Sequence, residues 1–169
     1  MATKRTRTPP ASPSDVASGL VRLMLSMEAL YTRESRKAGL TSQQAQLLCT
    51  AARRQASLGE IADVLRCDRS NVSRLLDRLG PRGLAYRGSA DRDGRVAVIR
   101  LTDEGQAVVR RFEANLEVRL RGLVADWPAK QRDAAADALL ALVHAIHGDM
   151  AAEDTASDDL AANQAAGAR

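Results

Sequence analysis

The sequence predicts a mainly α-helical protein interrupted once by a small two- or three-stranded β-element. Three observations carry this. Apolar residues make up 45% of the 169-residue chain and aromatics only 2%, so any core is built from Ala, Leu and Val, a helix-favouring set. Apolar side chains recur at three- and four-residue steps over most of the length. Between Gly80 and Thr102 the period changes to two, with the β-branched run Val96-Ala97-Val98-Ile99-Arg100-Leu101.

Residues 1–13 combine Lys4, Arg5 and Arg7 with three prolines and read as a flexible basic arm. A first helix is expected over 14–38, with Leu20, Leu23, Met24, Met27, Leu30 and Tyr31 on one stripe and Gly39 ending it. Thr41 and Gln44 have capping-box spacing and start a second helix at Ser42. Ser57 and Glu60 start a third in the same way, a short one through Leu65. Asp68 is positioned to N-cap a fourth helix, whose apolar face is Val72, Leu75, Leu76 and Leu79, and Gly80-Pro81 stops it. Strands are expected over 84–87 and 96–101, joined by the polar tip Gly88 to Gly94. Thr102 caps a long helix through Val124. Pro128 opens a last helix that ends near Gly148. The Ala- and Asp-rich segment 149–169 is expected to be a disordered tail.

Residues 14–148 are therefore read as one domain, with the hairpin-bearing part at 40–101. The short third helix, a tight turn, the fourth helix and the hairpin together describe a winged helix-turn-helix. No run of about 18 apolar residues is present, so no membrane helix is expected. No apolar stretch follows the basic N-terminus, so a secretory signal is not expected and the cytoplasm is the expected location.

Charge is unevenly placed. The net charge is +4, but Arg66 to Arg100 holds nine Arg against four Asp, while 151–169 holds four acids against Arg169. A basic charge run is often only a solvated surface; a local basic surface on a groove-reading helix is a polyanion site. A helix entering the DNA major groove needs an apolar face to hold it and a polar face for base edges. The fourth helix has both, with Arg69, Ser70, Asn71, Ser73, Arg74, Asp77 and Arg78 outside. Arg pairs with guanine O6 and N7, and Asn with adenine. The hairpin adds Arg87, Arg92 and Arg95, suited to the negative potential of a minor groove, with Asp93 placed to pair with Arg95 and aim it. Scarce aromatics disfavour single-stranded nucleic acid, which binds by base stacking.

At these residues the chain resembles the MarR family of bacterial transcriptional regulators. The matching pieces are Leu40-Thr41-x-x-Gln44, Leu58-x-x-Ile61-Ala62-x-x-Leu65 and Ser73-Arg74-Leu75-x-Asp77-Arg78-Leu79. They continue as Arg82-Gly83-Leu84-x-x-Arg87, Asp91-Arg92-Asp93-Gly94-Arg95 and Leu101-Thr102-x-x-Gly105, in an order that covers about residues 20–147. The resemblance implies a homodimer built from the helices at 14–38 and 102–148, a pseudo-palindromic double-stranded DNA site, and control by a small-molecule effector or by oxidation. It assigns the wing contact to Arg95 and its orienting carboxylate to Asp93. Gly80-Pro81 departs from the family pattern and is expected to shorten the recognition helix.

The leading functional expectation is a homodimeric repressor released by a ligand. The alternatives are a winged helix that binds protein, and a thiol redox sensor. An effector pocket, if present, is expected between the dimer helices and the winged part, with Met24, Met27 and Tyr31 as lining candidates; a Met stripe at helical spacing is more often core. Cys67, just before the recognition helix, is the redox candidate, but a small turn residue is the plainer reading, and Cys49 reads as core. The two cysteines have no CxxC spacing, so no disulfide framework is expected. His144 and His147 have no third strong ligand, so no metal or other cofactor is expected. No nucleophile–base set or phosphate loop is visible, so no enzyme activity and no catalytic residue are expected.

Overall fold

A computed structural model describes residues 12–89 and 97–167, with side chains through residue 149. The expected fold class is observed. Helices α1 (Pro13–Lys37), α2 (Ser42–Arg53), α3 (Leu58–Leu65) and α4 (Arg69–Leu79) precede a small antiparallel sheet. Its strands are β1 (Ala56–Ser57), β2 (Ala85–Ser89) and β3 (Ala97–Leu101), in the order β1-β3-β2. Helices α5 (Asp103–Val124) and α6 (Ala129–Gly167) follow.

Residues 12–119 belong to one compact unit. Helix α1 starts on a capping box that the sequence reading missed. The Ser12 hydroxyl accepts from the Asp15 backbone N–H at 3.2 Å, and the Asp15 carboxylate accepts from the Ser12 backbone N–H at 2.9 Å. The helix ends as expected at Gly39, whose φ of 71° is open to glycine at little cost. The Leu40 and Gly39 N–H groups then reach back to the Ser35 and Arg36 carbonyls, which places Leu40 in the core. The expected boxes at Thr41/Gln44 and Ser57/Glu60 are both formed. The Glu60 carboxyl is held below its usual range, first by the Ser57 backbone N–H and then by the Ser57 hydroxyl.

Leu47, Leu48, Ile61, Val72, Leu79 and Ile99 are the largest fully buried apolar side chains, and Phe112 closes the core from α5. β1 was not placed from sequence. It is two residues long and is defined only by its pairing, Ala56 with Ile99 and Ser57 with Val98. Two residues are too few to show a period of two.

The junction between β2 and α5 is tightly built. The Thr102 hydroxyl donates to the Gly83 carbonyl at 2.5 Å and accepts from the Gly105 N–H at 3.0 Å, so it caps α5 and anchors the turn before β2. The Thr102 N–H donates to the Leu84 carbonyl at 3.2 Å. The same carbonyl lies against Gly105, where an added Cβ would sit 1.9 Å from it.

The second unit, from Leu120 onward, contains the end of α5 and all of α6. The break at Trp127-Pro128 is as expected, and the Pro128 carbonyl accepts from the Gln131 and Arg132 N–H groups. Helix α6 does not stop near Gly148; its backbone is helical to Gly167. Residues 149–167 carry Ala at seven positions and no proline, and Ala has the strongest intrinsic helix preference. Low apolar content was the basis for expecting disorder, but that measures core burial and not local helix preference. No helix among the described residues is long and apolar enough to cross a membrane.

Candidate nucleic-acid interface

The helix-turn-helix is set by an unusual backbone turn. Arg66 holds the left-handed conformation, φ 48°, and is the single non-glycine residue with positive φ among those described. Its N–H donates to the Asp63 carbonyl at 3.1 Å, and the Cys67 N–H donates to the Ala62 carbonyl at 3.0 Å. This is the closure that Gly39 performs for α1, here made by a residue with a Cβ. Arg66→Gly should therefore stabilise the fold by up to about 1 kcal/mol, readable as a higher denaturant midpoint at unchanged slope.

The turn delivers the chain into α4. The expected side-chain cap by Asp68 is not made; its backbone carbonyl alone accepts from the Asn71 and Val72 N–H groups. The left-handed turn and the burial of Val72 and Leu75 already fix the start of the helix, so its first N–H groups are left without a side-chain acceptor from Asp68. Gly80 caps the other end, so α4 is eleven residues long.

The two faces of α4 separate as the sequence indicated. Val72, Leu75, Leu76 and Leu79 are buried. Arg69, Ser70, Asn71, Arg74, Asp77 and Arg78 are exposed, and Ser73 is half-buried. Among the described residues Arg69, Arg74 and Arg78 form no ion pair, in contrast to Arg53 with Glu113 at 3.1 Å and Arg54 with Glu60 at 3.7 Å. Arg69 is nonetheless placed: its guanidinium lies over Gly59 of α3, where an added Cβ would fall 3.0 Å from Nη2.

Arg87 on β2 is exposed, and its Nη2 donates to the Ser73 hydroxyl oxygen at 2.7 Å. On the neighbouring strand Arg100 donates to the Ser89 carbonyl at 3.1 Å, and its aliphatic stem covers Gly88. Arg92, Asp93 and Arg95 of the wing tip lie outside the described residues. The structure thus places Arg69, Ser70, Asn71, Ser73, Arg74 and Arg78 on one helix and brings Arg87 onto it.

A cleft of about 700 Å³ opens on the same unit, between α1, α2, the end of α3 and α5. Met27 and Tyr31 line it; Met24 does not and is exposed. The Tyr31 ring meets Phe112 edge-on, with centroids 5.2 Å apart. Cys49, Arg53 and Glu113 are among the polar side chains of its wall. These three were missed as a group because they lie on α2 and α5, far apart in sequence. Burial is the main force raising the Tyr31 phenol above its ordinary value, with Cys49 next. Burial also raises the Cys49 thiol, and the Glu113 carboxylate adds to it. A raised thiol is poorly ionised, so Cys49 should alkylate with iodoacetamide at neutral pH more slowly in the folded protein than in the denatured chain. Cys67 is half-buried and packs against the core.

A sequence model of the MarR family matches residues 38–96. No curated protein is matched by sequence. Among solved structures, RV1404 from Mycobacterium tuberculosis is 20% identical, aligns over 82% of this chain and 97% of its own, and superposes with a TM-score of 0.70. A MarR family protein from Bacillus stearothermophilus is 19% identical, over 80% and 99%, with a TM-score of 0.67. MepR of Staphylococcus aureus, described as a transcription regulator of the multidrug efflux pump MepA, is 24% identical, over 76% and 97%, with a TM-score of 0.60. At these identities the likeness establishes the fold. With the helix-turn-helix, the three-stranded sheet and the match over residues 38–96, the chain has the winged-helix fold and is similar to the MarR family over that segment.

Proposed function

We propose that the chain is a homodimeric transcription regulator that reads a pseudo-palindromic double-stranded DNA site. The observation that carries this is the division of α4: four buried apolar residues fix the helix, and Arg69, Ser70, Asn71, Arg74 and Arg78 project outward. Guanidinium and amide groups match the donor and acceptor pattern of major-groove base edges. Ser73 joins this surface, and Arg92, Asp93 and Arg95 extend it into a minor groove. An interaction module for protein alone gives no reason for so many arginines without acidic partners on one helix face.

The dimer rests on apolar residues left uncovered in a single chain. On α1 these are Val16, Val21, Leu23, Met24 and Leu25; in the second unit they include Leu123, Leu139, Leu140, Val143 and Ile146. A second copy would cover such stripes and present two recognition helices in the two-fold arrangement a palindrome requires. The cleft beside Tyr31 and Phe112 has the size of small-molecule sites and is the place for an effector that releases the DNA. Control by that ligand is favoured over thiol oxidation because Cys67 is half-buried and packs against the core, and burial raises the Cys49 thiol in the cleft wall. The protein works as a repressor in the cytoplasm.

In vitro selection of duplex DNA on the full chain, followed by footprinting and light scattering, tests this. The reading expects an inverted repeat with half-sites about 10 base pairs apart, protected by a dimer. A selection that enriches no duplex, or a bound species containing one chain, contradicts it.

A further inference from the structure

The hydrogen bond between Arg87 and Ser73 gives Arg87 a part that its charge alone does not suggest. Side chains alternate along β2, so Arg87 shares the face of buried Ala85, the face turned toward α4. Its exposed end reaches Ser73, one turn before Asp77 on the same helix face. A groove of about 410 Å³ separates the C-terminal half of α4 from β2, lined by Leu76, Asp77, Gly80, Ala85 and Arg87 among others. Across this groove the 2.7 Å bond is the polar tie between recognition helix and wing strand that the described side chains provide. It also defines what Ser73 can do next. The hydroxyl oxygen accepts from the guanidinium, so its own proton remains free to be donated outward.

Resting on the reading of α4 as a DNA-reading helix, we infer that Arg87 is a positioning residue and not a phosphate contact. It holds α4 against β2 and presents Ser73 as a hydrogen-bond donor, so helix and wing meet the duplex as one body. Its effect on DNA passes through Ser73. An arginine neutralising a phosphate would act on its own and would carry its share of the salt dependence.

The test is a double-mutant cycle with full-length Arg87→Ala, Ser73→Ala and the double variant, on a duplex selected by the wild-type chain. Affinity is titrated across a salt series. Each single change is expected to weaken binding roughly tenfold, the size of one lost charge-assisted hydrogen bond. The double variant should be no weaker than the weaker single variant, and the salt slope of Arg87→Ala should equal the wild-type slope. Losses that multiply, or a slope shallower by about one unit, overturn the inference. A residue that merely stabilises the fold would shift the melting midpoint without this coupling in affinity. Salt-dependent binding by the wild type with multiplied losses sinks only the role of Arg87. No duplex binding by the wild type sinks the DNA reading and, with it, this inference.

Discussion

Gly105→Ala is expected to destabilise the protein by about 3 kcal/mol, at the upper end for overpacking by one methyl. Gly105 lies in the first turn of α5, where its missing side chain is filled by the Leu84 main chain. An added Cβ would stand 1.9 Å from the Leu84 carbonyl oxygen and 2.9 Å from its carbon. The obstacle is backbone, so no rotamer change relieves it. That carbonyl also accepts the Thr102 N–H, and the Thr102 hydroxyl anchors Gly83, so a displacement would loosen both the α5 cap and the entry to β2. For a chain of this size the melting midpoint should fall by roughly 6–12 °C. Gly122→Ala in the same helix is the control, because nothing lies within 4 Å of its added Cβ. There the exchange should be neutral or stabilising by up to about 1 kcal/mol.

Arg95→Ala should weaken binding to a selected duplex more than any other single wing change, by at least ~2 kcal/mol, and evenly across base substitutions at the major-groove positions. A guanidinium in a narrow minor groove reads potential and width, not base identity there. Arg74→Ala should behave differently. Arg74 is exposed on α4 and free of acidic partners among the described residues, so it is available for a bidentate base contact. Its loss should cost about 1–3 kcal/mol and relax preference at one base pair of each half-site. Competition titrations against a panel of single-base variants separate the two patterns.

The winged helix was legible in the sequence wherever local chemistry decides local structure. The capping boxes at Thr41 and Ser57, the glycine at 39, the apolar face of α4 and the change of period before β3 each determine an element within a few residues. What was not legible depends on distant partners. β1 exists only through its pairing with β3. Asp68 has the right side chain for a cap, but the preceding left-handed Arg66 turn made that bond unnecessary. Ser73 and Arg87 each stand out in the sequence as polar candidates, yet their contact spans fourteen positions and carries no sequence signature. The same holds for the cleft wall of Cys49, Arg53 and Glu113. The extent of α6 was misjudged for another reason, because low burial and high helix preference pull in opposite directions along an Ala-rich segment.

The central claim is that the exposed arginines of α4, together with Arg92 and Arg95, meet the phosphates and bases of a duplex. The most direct test is the affinity of the full chain for its selected duplex measured from low to high salt. The logarithm of the association constant should fall linearly with the logarithm of salt concentration, with a slope of about −5 or steeper for two such surfaces. A slope near zero would contradict the claim.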